Sequence, residues 1–261
     1  MPPVLYPRSQ RQHDRIQSTT LMTLRLLASQ RHAVPAAFTA LLTLILFCDE
    51  QAMAHNVDTS DAAFLQAQSG AVFWPYLYLG AKHMVTGLDH LLFLAGVVFF
   101  LRGFRDVAVY VSLFALGHSL TLIVGVMLQT NANPYLVDAI IGLSVVYKAL
   151  ENLARQRNWR FGIDTRAAIF AFGLCHGLGL ATKLQQISLP EEGLLVNLLA
   201  FNLGVEFGQL LALSAIVLAV FAWQRRSTFA TQALVANWFI MVGGFMLIGV
   251  QLAAYWSGST A

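Results

Sequence analysis

Six residues able to ligate a metal or carry a proton stand inside segments that are otherwise apolar: His83, Asp89, His90, His118, His176 and Glu206. An unpaired Asp at the centre of a membrane helix costs about 2.5–3.5 kcal/mol on insertion scales, so such groups mark ion or proton pathways by default. Imidazole with carboxylate suits zinc, nickel, cobalt or copper, whereas hard ions prefer all-oxygen sites. A lone histidine of this kind is equally well explained by an interhelical hydrogen bond, worth around 0.6 kcal/mol. Three histidines at one depth beside two acids are not so easily explained. Cys175 reads as a small buried hydrophobe rather than a ligand. The other cysteine, Cys48, falls in the expected amino-terminal leader, so no pair is available in the mature chain for a thiolate-rich site.

The spacing orients these groups. His83 and His90 lie on one helical face, but about 10 Å apart along the axis at 1.5 Å per residue. They can meet at one ion only through an unwound turn, and Gly87 between them permits one. Asn202, Glu206 and Gln209 follow an i, i+4, i+7 pattern on one face. Ser119 and Thr121 flank this chemistry beside His118, and Asp138 and Ser144 stand in the next apolar segment as supporting polar groups. Lys148 and Glu151, at i and i+3, read as a structural ion pair. Gly173 with Gly177, and Gly204 with Gly208, form two G-x-x-x-G pairs that favour close helix approach.

The elements that position these residues follow from composition. The chain has 261 residues, 57% hydrophobic and 11% charged, against about 25% charged in soluble domains. The expected fold is all-α, an integral membrane helical bundle. A span needs about 20 mostly apolar residues, and six segments qualify: Leu77 to Leu101, Val107 to Leu128, Leu136 to Leu153, Ala167 to Ile187, Leu194 to Trp223, and Ala233 to Tyr255. Residues 77–261 therefore read as one transmembrane domain. Running the spans in alternation puts Asp89, His90, His118, His176 and Glu206 at one level, with His83 two turns further out.

Residues 1–54 have the pattern of a cleaved signal peptide: a basic stretch from Arg8 to Arg31, an apolar run from Ala33 to Phe47, and Ala52-Met53-Ala54 as the cleavage site. The basic stretch is long for this pattern, and Met22 would give a better-proportioned start. Cleavage removes five of the 16 basic and three of the 13 acidic residues, leaving a net charge of +1. The basic charge is therefore mainly a targeting signal, and nucleic acid is not expected as a partner. Residues 55–76 read as a short periplasmic lead-in, with Trp74, Tyr76 and Tyr78 as an interfacial aromatic belt. His55 would become the first residue, where its α-amino group and imidazole could capture a metal ion. Arg102, Arg105, Arg155, Arg157, Arg160, Arg166, Arg225 and Arg226 fall in alternate connectors, and the opposite connectors carry no Lys or Arg. By the positive-inside rule both mature termini face the periplasm across a bacterial inner membrane.

Four blocks resemble the HupE/UreJ family: His83-Met84-Val85-Thr86-Gly87-Leu88-Asp89-His90 followed by Leu91-Leu92-Phe93-Leu94; His118-Ser119-Leu120-Thr121-Leu122; Phe172 through Ala181, with Leu180 where the family has Phe; and Phe201 through Gln209. They occur in family order across the first five spans. Asp138 stands where the family has Glu. The resemblance implies a membrane accessory protein of hydrogenase or urease maturation systems, acting as a secondary nickel or cobalt permease. It implies that His83, Asp89 and His90 handle the metal. No G-x-x-x-x-G-K-[ST] motif is present to supply an ATP motor. The alternative from a different class is an intramembrane zinc-dependent hydrolase, with a three-histidine site, Ser119 nearby, and Asp89 or Glu206 as general base. A metal sensor or assembly scaffold is a third reading.

Overall fold

The computed structural model describes residues 70–159, 163–186 and 192–258. The expected signal peptide, His55 and Arg160 lie outside the described residues. Within them the structure is helical, with no strand: α1 (Phe73–Thr86), α2 (Leu88–Val98), α3 (Phe104–Met127), α4 (Pro134–Gln156), α5 (Thr165–Gln186), α6 (Leu194–Gln224) and α7 (Phe229–Ser257). Four of these, α3, α5, α6 and α7, are long and apolar enough to cross a membrane. The chain is therefore a multi-pass membrane protein. Helix α4 has the length but carries Asp138, Lys148, Glu151 and Arg155. The first expected span is not one helix. It breaks at Gly87, whose backbone is extended at φ −70° and ψ 105°, and neither half alone has spanning length.

Local chemistry sets several helix starts. Asn133 caps α4 by accepting from the Leu136 amide at 3.2 Å, with Pro134 at the first helical position, where its missing N–H costs nothing. Asp164 accepts from the amides of Arg166 and Ala167 ahead of α5, satisfying donors that a helix start leaves orphaned. At α1 the cap comes from another helix: Asn197 of α6 accepts from the Val72 amide at 2.7 Å and donates to the Gly70 carbonyl at 3.0 Å. Helix α1 begins at Phe73 rather than Leu77. Trp74 and Tyr78 are exposed, as a lipid-facing belt requires, but Tyr76 is 1% exposed and packs in the core.

Three helix pairs make the bundle: α1 with α6, α3 with α5, and α4 with α7. Each closes at glycines. A methyl on Gly80 or Gly204 would run into the carbonyls of Phe201 and Leu77, so α1 and α6 approach at backbone distance. Gly117 faces the Phe170 carbonyl, and Gly177 the carbonyl of His118. Gly142 and Gly244 face each other's backbone across α4 and α7. This is how membrane helices associate where lipid removes the hydrophobic driving force between them.

The short α2 packs against α4, α6 and α7. The carbonyls just beyond its C-terminus are met by Gln224, which donates to Phe99 at 3.0 Å and Leu101 at 2.9 Å. Asn152 donates to Gly96 and to Asn237, both at 2.8 Å, tying α2, α4 and α7 together. Lys148 pairs with Glu151 at 2.7 Å, as the i, i+3 spacing implies, and Glu151 also accepts from Thr165. The apolar core is in two parts. One contains Phe93, Val111, Phe114, Ile169 and Leu213; the other contains Leu94, Leu122, Leu180, Leu198 and Val205. His118 falls between Phe114 and Leu122 along α3, and His176 between Ile169 and Leu180 along α5.

Candidate metal centre

The break at Gly87 decides the geometry of the site. A continuous helix would hold His83 and His90 about 10 Å apart, but the turn brings their ring centroids to 5.3 Å. Gly87 itself is confined. A Cβ there would lie 3.1 Å from both the His83 carbonyl and His90 Nδ1, and 3.2 Å from Asp89 Oδ1. Asp89 falls in the first turn of α2, where the positive end of the helix dipole favours a carboxylate.

His90 is the centre of the cluster. Its ring lies 4.8 Å from His176 of α5 and 5.9 Å from His118 of α3, centroid to centroid. One ligand atom each from Asp89, His90 and His176 falls within 4.8 Å of the others. Asp89, His90, His118 and His176 are all buried, and His83 is half-buried. The structure thus brings Asp89 and His90 of α2 together with His176 of α5, with His83 of α1 and His118 of α3 beside them.

Hydrogen bonds orient two of these rings. His90 Nδ1 lies 3.0 Å from Asp89 Oδ1. A carboxylate only accepts, so Nδ1–H is the donor of this bond and Nε2 is the ring nitrogen left to face a ligand. Carboxylate–histidine pairs of this kind orient metal ligands and raise their basicity. Ser144 donates its single proton to the Ile141 carbonyl at 2.6 Å. Toward His176 Nε2, at 3.1 Å, it can therefore only accept. That places the His176 proton on Nε2 and the lone pair on Nδ1. The Nε2 of His118 is buried with no hydrogen-bond partner among the described residues.

Phe114 and Phe93 close one side. Phe114 stacks at 6.2 Å on His118 and meets His176 edge-on at 5.0 Å, while Phe93 lies 5.3 Å from His176. Sequence reasoning missed both as site residues, because an apolar side chain in an apolar span carries no signal of its own.

The remaining sequence candidates are placed elsewhere. Glu206 stands outside the cluster: its side chain is exposed, and it accepts from Asn202 at 3.5 Å. Asn202 also donates to Ser119 at 2.8 Å, and Gln209 to the Val111 carbonyl at 3.4 Å. Asn202, Gln209 and Ser119 therefore join α6 to α3 rather than facing the histidines. The Thr121 hydroxyl donates to the Leu174 carbonyl at 2.6 Å, with the Gly117 carbonyl 3.1 Å away, clamping α3 to α5 beside His176. Asp138 forms a buried ion pair with Lys183 at 2.7 Å. Cys175 is a half-buried free thiol outside the ligand group.

The family of HupE/UreJ proteins matches residues 59–259, a range that contains all four blocks and the whole cluster. The chain belongs to the HupE/UreJ family. Comparison with curated proteins and with solved structures gives no match. Membership points to a metal-transport or accessory role in the membrane.

Proposed function

We propose that this HupE/UreJ protein is a secondary permease for nickel or cobalt, with the ion as its substrate. The observation that carries the reading is the convergence of Asp89, His90 and His176 in one buried group, flanked by His83 and His118. Four imidazoles and a carboxylate offer the mixed ligation that borderline divalent ions favour. An ion in transit must be held well enough to enter and weakly enough to leave. With His90 Nδ1 on Asp89 and His176 Nε2 on Ser144, the second nitrogen of each ring is the one available to an ion.

This reading includes six passes, α1 with α2 making the first, an inner-membrane location, and both mature termini in the periplasm. The alternation of connector arginines supports that orientation. A hydrogenase or urease maturation system would be the consumer of the metal. The geometry favours transport over the zinc-hydrolase alternative, because Ser119 and Glu206 are engaged with Asn202 rather than with the cluster.

The test is metal accumulation in a strain lacking its own nickel and cobalt importers. The wild-type chain should restore uptake, and His90→Ala, His118→Ala or His176→Ala should each abolish it while the protein stays in the membrane. His83→Ala should do less, since His83 sits at the half-buried edge. Full uptake by both His118→Ala and His176→Ala in well-expressed protein would refute the shared site.

A further inference from the structure

Each helix that brings a group to the histidine cluster also carries an aromatic ring one turn away, always in the same direction. Phe93 follows His90 by three residues on α2, Phe114 precedes His118 by four on α3, and Phe172 precedes His176 by four on α5. Tyr147 follows Ser144, the partner of His176, by three on α4. Three or four residues make one helical turn. In every case that turn leads toward arginines: Arg102 and Arg105 between α2 and α3, Arg155 at the end of α4, and Arg166 at the start of α5.

The displaced rings form a layer of their own. Phe93 lies 5.1 Å from Phe114 and 5.9 Å from Phe172, and Phe172 lies 5.2 Å from Tyr147, centroid to centroid. The layer packs directly on the imidazoles. Phe93 is 5.3 Å from His176, and Phe114 is 5.0 Å from His176, 6.2 Å from His118 and 6.3 Å from His90. Phe93 and Phe114 are fully buried. Polar groups resume about one turn further on. Gly96, three residues after Phe93, gives its carbonyl to Asn152, which also bonds Asn237. Glu151, four residues after Tyr147, accepts from Lys148 and Thr165. The rings thus make an apolar partition between two polar zones.

A phenyl ring offers a metal ion no lone pair, and a constriction lined by apolar side chains gates by excluding water. We propose that Phe93, Phe114 and Phe172 are the barrier that seals the metal cluster from the arginine side, and that an ion leaves on that side only when these rings part. Barrier and ligands share α2, α3 and α5, so a movement that spreads the rings also spreads His90, His118 and His176. Opening the path and loosening the ion are then one event. Before the break at Gly87, by contrast, the ring that meets His90 belongs to another potential ligand, His83, at 5.3 Å.

The inference deepens the permease reading and rests on it, but its test needs no metal. In a full-length chain with Cys48 and Cys175 replaced by serine, His118→Cys puts a thiol behind the Phe114 ring. Membrane vesicles of each orientation are treated with a membrane-impermeant methanethiosulfonate, and the labelling rate is read. With the barrier intact the thiol should resist reagent applied from the arginine side. Adding Phe114→Ala should abolish that protection while leaving the rate from the opposite side unchanged. Phe114→Leu, which keeps the position apolar and largely filled, should stay protected. If Phe114→Ala cannot be recovered folded, Phe93→Ala carries the same expectation. A parent thiol already labelled rapidly from the arginine side overturns the barrier. So does protection that survives the alanine changes, a gain equal from both sides, or a leucine variant as reactive as the alanine one. Cobalt(II) counted on the wild-type protein tests the metal reading separately: a chain that binds none refutes that reading, while the labelling still decides whether the rings form a barrier.

Discussion

Replacing Ser144 with alanine tests whether the tautomer of His176 matters, because the perturbation is small and its target is defined. Ser144 is fully buried, its proton is committed to the Ile141 carbonyl, and its oxygen accepts from His176 Nε2 at 3.1 Å. Ile141 lies inside α4, where its carbonyl keeps the regular helical bond. The deletion therefore orphans chiefly one group, the Nε2–H of His176. Leaving a buried donor unsatisfied costs about 1–3 kcal/mol. The ring can recover part of this by moving its proton to Nδ1, which blocks the lone pair offered to the ion. A bias of about 1.4 kcal/mol toward the wrong tautomer is tenfold in affinity. Loss of an outer-shell partner to a ligating histidine typically costs about 10–100-fold in metal affinity. Ser144→Ala should accordingly weaken cobalt(II) binding to purified protein by about 10–100-fold, read by competition with a chelating dye, with helical content unchanged by circular dichroism. Binding within a factor of about two of wild type would show that Ser144 does not set the tautomer, and would remove His176 Nδ1 as the ligand atom.

Gly87→Ala places a methyl 3.1 Å from His90 Nδ1 and from the His83 carbonyl; it should reduce metal uptake without reducing the amount of protein in the membrane, and uptake equal to wild type would show that the break tolerates a side chain. Glu206→Gln should leave uptake unchanged, since the carboxylate is exposed and turned toward Asn202; a loss as deep as that of His90→Ala would place Glu206 on the ion path after all. Gly204→Val should prevent accumulation of folded protein, because its Cβ would overlap the Leu77 carbonyl at the α1–α6 contact, and overpacking typically costs about 1–3 kcal/mol or more; normal expression and thermal stability would contradict backbone-distance packing there. Reporter fusions after Arg105 and Arg226 should read cytoplasmic and one after Ala261 periplasmic; a cytoplasmic carboxy terminus would refute the orientation.

Much of the architecture is legible in the chain because insertion into lipid is nearly a one-dimensional problem. Long apolar runs must be helices, and the runs predicted from hydropathy coincide with α3 to α7. Depth is also linear along a span, so counting residues was enough to put His90, His118 and His176 at one level. The glycine pairs announced close helix contacts, and the ion pair of Lys148 with Glu151 followed from its spacing alone. Azimuth is different. Whether a mid-span side chain faces the cluster depends on which helices pair, and pairing is decided in three dimensions by glycine-to-carbonyl contacts such as Gly204 with Leu77 and Gly177 with His118. Glu206 shows the consequence: α6 gives its glycine face to α1, and the Glu206 side chain is exposed. The fold at Gly87 was a permitted option in the sequence, and packing of α2 against α4, α6 and α7 accompanies it. Lys183 with Asp138, Ser144 with His176, and Phe93 and Phe114 against the imidazoles all join residues distant in the chain, so only tertiary structure could bring them together. Which ionisable residues stand within apolar runs was determined by the sequence; which of them meet was decided by how close the helix backbones can come.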